Sequence, residues 1–386
     1  MHILLIPSWY PKTPSDISGS FFREQAQALC KHGCQVGVIT LQLKTRSWQS
    51  VFKDKHDIAF ENDQGVATYQ KHGVRWSYFI ISWIWKTSIM MLFKHYIKQH
   101  GKPDIIHVHS MLYAGVAAKE ISEKYKIPFI VTEHSTAFAR GLVSPKQKGI
   151  VQQIAISADK RFAVSQPFAK LLFEFIEAKN SPWKVMPNIV HERFFNSIVN
   201  TEPKTLAFTF INISLLTEKK GVDFLIKAFS KVLTIQPGLR LKVGGDGRER
   251  SKLEELSRDL GIVNNIEFLG VLSRDQVVEQ VEASDVFVLG SRYETFGVVV
   301  IEALALGVPV IATRCGGPED IIREEDGILV SVNDVNAMAA AMLNVYKNRA
   351  MYNRREISEA CYERYGEQAV AEKLIQEYRN VLGNNS

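Results

Sequence analysis

The sequence predicts an α/β protein built from two doubly wound domains that face each other across a cleft. Its 386 residues exceed what one hydrophobic core usually holds, which favours two domains or more. Its composition, 46% hydrophobic and 23% charged, is typical of a globular chain. Short apolar runs alternate with amphipathic segments, and this pattern predicts parallel sheets covered by helices on both faces.

The predicted elements form two similar series. In the first half the strand-length apolar runs are His2–Ile6, Gln35–Thr40, Ile105–Val108, Phe129–Val131 and Arg161–Val164. In the second half they are Ala207–Ile213, Arg240–Val243, Asn265–Phe268, Val286–Leu289 and Val308–Ala312. The helical segments between them include Phe21–His32, Tyr113–Tyr125, Val222–Leu233, Arg248–Leu260 and Arg274–Ala283. The polar stretch Asn196–Lys204 predicts a linker, so we expect domains at residues 1–190 and 191–366.

The charge balance and the cysteines exclude some classes of protein. Lys and Arg number 47 against 41 Asp and Glu, and a net charge of +6 is too small to indicate nucleic-acid binding. It suits an anionic small ligand or an anionic membrane surface. The four cysteines have neither the number nor the spacing of a disulfide framework or a zinc site, so we expect reduced thiols in a cytoplasmic protein. Met1–Pro7 lacks a basic leader and is typical of a first strand rather than a signal peptide.

One segment of the first half, Val74–Gln99, combines tryptophans with lysines. Charges interrupt its apolar run well short of the ~20 residues that a membrane span needs. Trp76, Trp83 and Trp85 beside basic groups are typical of a helix at a membrane interface. The alternative is a helix packed on its own domain. On the first interpretation the protein works at the inner face of an anionic membrane.

The densest pattern of chemically informative residues lies between Ser291 and Pro309. A strand predicted at Val286–Leu289 leads into a loop that carries Glu294, and a helix is predicted to begin near Phe296. The free amide groups and positive dipole end of that helix would bind a phosphate. Glu302 lies about two turns into the helix, on an otherwise apolar face. An acid beside a phosphate site is favourable only if it meets neutral hydroxyls or a developing cation, and sugar hydroxyls with an oxocarbenium-like centre fulfil that condition.

Two glycine turns extend this site along the same predicted sheet edge. Gly316 and Gly317 follow a strand and precede Pro318, which favours the first turn of a helix. The Gly245-Asp246-Gly247 turn lacks the third glycine of a dinucleotide fingerprint, which disfavours an NAD-dependent dehydrogenase.

Glu294 and Glu302, separated by seven residues and followed by Gly316-Gly317-Pro318-Glu319, resemble the donor-domain signature of the retaining family-four glycosyltransferases with the GT-B fold. The matches cover nearly the whole chain. The others are Gly307-Val308-Pro309-Val310, Glu218-Lys219-Lys220-Gly221, Gly245-Asp246-Gly247, Phe268-Leu269-Gly270, Gly19-Ser20-Phe21-Phe22, His107-Val108-His109 and Thr132-Glu133-His134-Ser135. The resemblance implies two Rossmann-like domains and a terminal helix, residues 367–386, that crosses back to the first.

The resemblance also implies a role for each matched residue. Glu294 would contact the donor sugar and stabilise its cationic transition state, with Glu302 on the ribose hydroxyls and Lys220 on the diphosphate. The amides of Phe296, Gly297 and Val298 would neutralise the leaving phosphate, Gly270 would lie beside the base, and Gly317 near the sugar. From the first domain, Gly19 would approach the phosphate, and His134 would be a catalytic residue that approaches the donor sugar. Family members generally need no metal, and the chain contains no D-x-D motif. The family's usual arginine five residues before the phosphate lysine is replaced here by Leu215, so a guanidinium contact to the diphosphate is lost.

These residues predict transfer of a sugar from a nucleotide-sugar to a saccharide or lipid-linked saccharide in surface polysaccharide or glycolipid synthesis. We expect the nucleotide-sugar to be UDP-linked. A nucleotide-sugar epimerase with the same architecture and a non-catalytic, membrane-associated nucleotide-binding protein are the alternatives. His107 and His109 alternate along a strand end, so we expect at most one to face the cleft. For the lone loop histidine His134, spacing alone leaves a structural role open.

Overall fold

The computed structural model describes residues 1–13, 16, 19–44, 58–74, 78–176, 182–195 and 207–383. The predicted linker Asn196–Lys204 lies outside these residues, as do Arg75 and Trp76 of the tryptophan-rich segment. The chain divides into two compact units, Met1–Ile189 with Glu367–Ser386, and Val190–Gly366. Each unit has its own core and its own sheet, mainly parallel in the first unit and fully parallel in the second, so the predicted α/β class with two doubly wound domains is confirmed.

The first unit contains an eight-stranded sheet in the described part of the chain, in the order β3-β4-β2-β1-β5-β6-β7-β8. Its strands are β1 His2–Pro7, β2 Gln35–Lys44, β3 Ile58–Asp63, β4 Val66–Val74, β5 Ile105–His109, β6 Phe129–Glu133, β7 Lys160–Ala163 and β8 Lys184–Val185. Its helices are α1 Ser20–Lys31, α2 Tyr78–His100, α3 Val116–Tyr125, α4 Pro145–Ser157, α5 Gln166–Ile176 and the last helix of the chain, α13 Glu367–Gly383. Only β3 pairs in antiparallel fashion among these described strands, as the first arm of an edge hairpin with β4.

Burial explains the apolar runs of this unit. All six residues of β1 are buried, because helices cover a parallel sheet on both faces. Val370, Leu374 and Tyr378 of α13 pack in the same core as Ile3 and Leu5 of β1. The terminal helix is therefore an integral part of the first unit.

The second unit contains a six-stranded, fully parallel sheet within the described residues, in the order β11-β10-β9-β12-β13-β14. Its strands are β9 Thr209–Ile213, β10 Arg240–Gly244, β11 Ile266–Gly270, β12 Val286–Leu289, β13 Val310–Thr313 and β14 Gly327–Val330. Its helices are α6 Val222–Leu233, α7 Arg250–Asp259, α8 Arg274–Glu282, α9 Val298–Ala305, α10 Pro318–Ile321, α11 Val335–Lys347 and α12 Arg354–Tyr365. The order of strands reverses direction at β9 and β12, and the loops after these two strands lie at the topological switch point of the sheet.

Several element boundaries differ from the sequence-based prediction, and one helix and one strand are examples. The helix predicted from Tyr113 is preceded by a π-helical turn at Met111–Gly115, and α3 begins only at Val116. The strand predicted from Val308 begins at Val310. No helix of the described residues has both the length and the apolar character that crossing a membrane requires.

Candidate functional site

The loop that carries Glu294 is hydrogen-bonded to the glycine turn after β13. The Glu294 amide donates to the Cys315 carbonyl at 2.8 Å, and the Gly317 amide donates to the Glu294 carbonyl at 2.9 Å. A Cβ on Gly317 would lie 2.1 Å from the Phe296 carbonyl oxygen, so this close approach requires glycine. The two loops therefore form one rigid wall at the carboxyl edge of the second sheet.

The side chain of Glu294 is held by a lysine and a serine. The Lys220 ammonium lies 2.5 Å from Oε1 of Glu294, and the Ser291 hydroxyl donates to the same oxygen at 2.7 Å. Glu294 is 8% exposed, and the Lys220 side chain is 17% exposed. Lys220 ends the short 3₁₀ turn Glu218–Lys220, and Gly221 follows it in the left-handed region with a φ of 59°. A cation and a carboxylate from the two switch-point loops thus share one partly buried position.

Helix α9 begins beside this pair. Its N-cap is Gly297, with a φ of 100° and no side-chain capping bond, so backbone amides of the first turn receive no cap from that residue. Phe296 is 3% exposed and Val298 is the first helical residue. The amide groups of Phe296, Gly297 and Val298 therefore surround the start of a helix whose positive dipole end favours an anion.

Glu302 lies farther along α9 and has a different cationic partner. Nη1 of Arg274, the first residue of α8, donates to Oε1 of Glu302. The two side chains are 15% and 5% exposed, so this is a nearly buried ion pair. The Arg274 guanidinium also lies over the Phe194 ring, 4.8 Å from its centroid. Sequence reasoning missed Arg274, since its role depends on a contact across 28 positions.

Gly270 and Leu215 complete the predicted donor-binding positions of the second unit. Gly270 ends β11 with a φ of 74°, and its carbonyl accepts from the Gly245 amide at 2.7 Å. Leu215 is 60% exposed, so the position where the family usually has arginine is an apolar side chain at the surface.

In the first unit, Gly19 and His134 belong to one aromatic cluster. Gly19 caps α1 with a φ of 79°, and a Cβ at this position would lie 2.9 Å from Cδ1 of Trp9. The Trp9 ring contacts the Phe22 ring with centroids 5.2 Å apart, and Phe22 meets the His134 ring edge-on at 4.8 Å. These two predicted residues are therefore brought together through Phe22, whereas Lys220 and Glu294 belong to the other unit.

His134 ends a row of three buried histidines. Its Nε2 lies 3.1 Å from Nδ1 of His109, whose ring lies 4.1 Å from that of His107. His107 in turn contacts the Tyr378 hydroxyl of α13 through Nδ1 at 2.7 Å and the Thr132 hydroxyl through Nε2 at 2.8 Å. Burial lowers the pKa of all three rings, that of His109 to about 3. All three are therefore neutral imidazoles at physiological pH.

The expectation that at most one of His107 and His109 faces a cleft stays a prediction, but the two rings do not lie on opposite faces of β5. Residues two apart on a strand point to the same face, so both rings lie on one side of β5, and both are fully buried. Neither ring is presented to solvent.

Glu133 is a second residue whose role sequence reasoning missed. Its carboxylate accepts hydrogen bonds from the amides of Met111 at 2.8 Å, His134 at 2.9 Å and Ser135 at 2.8 Å. The side chain is fully buried, and burial raises the pKa of this carboxyl group, with the amide hydrogen bonds acting in the opposite direction. Glu133 thus fixes the backbone on both sides of the loop that carries His134.

The thiols and potential metal ligands of the described residues form no site of their own. All four cysteines are free, and burial raises the pKa of the Cys315 thiol to about 12. No group of three or more His, Cys, Asp or Glu side chains in the described ranges is arranged to hold a metal ion.

The chain is similar to known proteins over both units. The family described as Glycosyltransferase Family 4 matches residues 18–194, and the one described as Glycosyl transferases group 1 matches residues 195–364. An uncharacterized glycosyltransferase of Methanocaldococcus jannaschii is 28% identical over an alignment that covers 92% of each chain.

Two solved structures show the same fold. Sucrose-phosphate synthase from Thermosynechococcus elongatus superposes with a TM-score of 0.79 at 20% identity and full coverage of both chains. Anabaena HepE, solved with UDP and glucose, superposes with a TM-score of 0.73 at 16% identity, over 98% of this chain and 100% of that one. With the two family matches side by side along residues 18–364, the chain belongs to the family-four, group 1 glycosyltransferases with the GT-B fold.

Proposed function

We propose that this glycosyltransferase transfers a sugar, with retention of configuration, from a UDP-linked donor to a saccharide or lipid-linked saccharide during synthesis of a surface polysaccharide or glycolipid. The observation that carries this proposal is the Lys220–Glu294 ion pair, at 2.5 Å, beside the uncapped start of α9. UDP as the nucleotide is supported by the fold it shares with HepE, whose structure contains UDP and glucose.

Each part of this arrangement has a chemical task in the proposed reaction. Lys220 and the amides of Phe296, Gly297 and Val298 neutralise the charge that develops on the departing diphosphate. When the donor binds, Lys220 leaves Glu294 and pairs with the diphosphate. Glu294 then accepts hydrogen bonds from the donor sugar and stabilises the positive charge that develops on it as the bond between sugar and diphosphate breaks. The acceptor hydroxyl attacks from the face that the diphosphate leaves and passes its proton to that diphosphate. These groups supply positive charge to the phosphates without a metal, so we expect activity to persist in the presence of a chelator.

We further propose that the first unit works against an anionic membrane at the cytoplasmic side, through the exposed face of α2. Trp83 is 65% exposed and Met91 is 38% exposed, with Lys94 and Lys98 exposed farther along the helix. Helix α2 contains no acidic residue, so this face complements anionic lipid headgroups. Trp85, in contrast, is 1% exposed and packs within its own unit. The packed face supports the interpretation of a helix on its own domain, and the membrane proposal concerns the exposed face alone.

Flotation with phosphatidylglycerol and phosphatidylcholine vesicles tests this surface. We expect the protein to float with the anionic phosphatidylglycerol vesicles but not with the phosphatidylcholine vesicles. The double substitution Trp83→Ser with Met91→Ser should abolish flotation. Ile156→Ser is a matched control, because Ile156 is a 67% exposed apolar residue of the same unit on another helix. Equal flotation of the double variant and the wild type would contradict the membrane proposal.

A thermal-shift panel of nucleotides and nucleotide-sugars, followed by product analysis, tests the transfer itself. A nucleotide at a hundred times its dissociation constant should stabilise the protein by about 2.7 kcal/mol. We expect UDP and a UDP-sugar to give the largest shifts. Conversion of the donor sugar into its epimer without any acceptor would instead support an epimerase, and nucleotide binding without turnover of any donor would support a non-catalytic protein.

A further inference from the structure

Glu302 is predicted to bind the ribose hydroxyls of the donor, yet it is not a free carboxylate. Oε1 accepts a hydrogen bond from Nη1 of Arg274, and no hydrogen bond to Oε2 is present among the described residues. The Glu302 side chain is 5% exposed, and a carboxylate so deeply buried requires a partner. Arg274 provides that partner from a different helix.

The Arg274 side chain is itself held from several directions. Its guanidinium lies 4.8 Å from the centroid of the fully buried Phe194 ring, in a cation–π contact. The backbone at the start of α8 is fixed by a capping box in which Ser273 and Gln276 bond each other's amides. An ion pair at 3.0 Å between Arg193 and Asp275 joins the Phe194 segment to the same turn of α8. The guanidinium therefore has little freedom to leave Glu302.

We infer that Arg274 is a positioning residue for the nucleotide: it fixes Oε1 of Glu302 so that Oε2 accepts the hydrogen bonds of the ribose hydroxyls. This inference rests on the proposed function, since it requires a ribonucleotide donor. Two hydroxyls of a ribose bind strongly only to an acceptor whose direction is fixed in advance, because ordering a mobile carboxylate on binding costs conformational entropy. Loss of Arg274 should then weaken the part of the affinity that comes from the ribose and leave the part that comes from the diphosphate.

Two other roles for Arg274 predict different results. A purely structural ion pair would lower the stability of the unit without changing the preference for ribose. A direct contact between Arg274 and the diphosphate would weaken binding of a ribonucleotide and of its dideoxy analogue by the same factor. The ratio of the two affinities therefore distinguishes the positioning role from both.

The test is calorimetric titration of the full chain with UDP and with 2′,3′-dideoxyuridine diphosphate. We expect wild type to bind UDP about tenfold or more tightly than the dideoxy compound, which is the effect of hydrogen bonds to a charged acceptor. Arg274→Gln and Glu302→Gln should each reduce this ratio towards one, with little change in the affinity for the dideoxy compound. The double variant should show no additional loss.

Controls keep the result decisive. Arg323→Gln breaks another ion pair of the same unit, Arg323 with Asp326 at 2.7 Å, and should leave the ratio unchanged. Arg274→Lys keeps the charge without the planar fork and is judged by the same ratio if Arg274→Gln fails to fold in a thermal melt. A wild-type ratio in a folded Arg274 variant, or equal losses for both ligands, would overturn the inference alone. Failure of wild type to bind UDP at all would overturn the proposed function and this inference with it.

Discussion

The Lys220 ammonium and the Glu294 carboxylate lie 2.5 Å apart at the switch point of the second sheet, and the Ser291 hydroxyl binds the same carboxylate oxygen. A ligand that carries both a diphosphate and a sugar can separate this pair, since it offers an anion to the lysine and hydroxyls to the glutamate. The ion pair therefore keeps both side chains in position before the donor arrives. This relationship leads to the first two predictions.

Glu294→Gln should reduce kcat by about 10²–10³-fold or more with little effect on folding, because the amide keeps the shape of the side chain but not its negative charge. Donor hydrolysis and transfer measured with the purified variant would show this. Glu254→Gln removes an acid from a surface ion pair with Arg250 in the same unit and should be fully active. Wild-type turnover by Glu294→Gln would remove this carboxylate from the mechanism.

Lys220→Met should weaken binding of UDP by about 10–100-fold, because a hydrogen bond from a charged donor to the diphosphate is lost. Titration calorimetry with UDP measures the change, and uridine alone should bind equally to variant and wild type. Lys252→Met alters a lysine whose side chain is 73% exposed in the same unit and serves as the control. If both lysine variants bind UDP with wild-type affinity, Lys220 does not hold the phosphates.

Gly317→Ala should destabilise the second unit by about 1–3 kcal/mol, because the new Cβ would lie 2.1 Å from the Phe296 carbonyl oxygen and force two loops apart. Nucleotide binding should weaken as well, since the same loops carry Glu294. Gly238→Ala is the matched control, because a Cβ at Gly238 meets no atom within 4 Å. Urea unfolding curves of the two variants compare the effects, and equal stability would show that the loops can relax around a methyl group.

Stability should fall as the pH is lowered through the range from about 6.5 to about 3, because burial holds the pKa of His107, His109 and His134 below that of exposed histidine. In this range the unfolded chain binds more protons than the folded chain, at about 1.4 kcal/mol per pH unit for each histidine. Glu133, whose pKa is raised above its unfolded value of about 4.5, contributes to the slope with the opposite sign from that pH upward. Urea unfolding at several pH values measures the slope.

The variant His109→Gln separates this effect from general acid denaturation. Its stability at neutral pH is expected to be lower, but its slope below pH 6.5 should be smaller by one proton than that of the wild type. An unchanged slope would mean that His109 is protonated in the folded protein.

The parts of the fold that sequence patterns could predict are those whose burial leaves a clear pattern in the sequence. Strand β12 and helix α6 have the predicted bounds, because apolar residues and amphipathic spacing mark both ends. The hairpin of β3 and β4 was not predicted, since four of the six residues of β3 are exposed and form no apolar run. Patterns of burial cannot reveal a strand that lies at a solvent-exposed edge.

The site shows the same limit in its side chains. The strand-loop-helix pattern singled out Glu294 and the family resemblance singled out Lys220, and the fold joins the two in one ion pair. Arg274 belongs to none of the motifs that the sequence shows, and its partners Glu302 and Phe194 come from separate parts of the chain. Only the tertiary structure therefore reveals the role of Arg274. Glu133 belongs to the Thr132-Glu133-His134-Ser135 motif, but its three amide contacts depend on where β6 ends.

The position of helix α13 in the first unit has a consequence for synthesis of the chain. Val370, Leu374 and Tyr378 fill the core beside β1, although more than 170 residues of the second unit are translated in between. Residues 190–366 are synthesised while the sheet of the first unit still lacks one of its covering helices. The first unit therefore completes its core only after α13 has been made, and until then the apolar surface that α13 covers stays exposed.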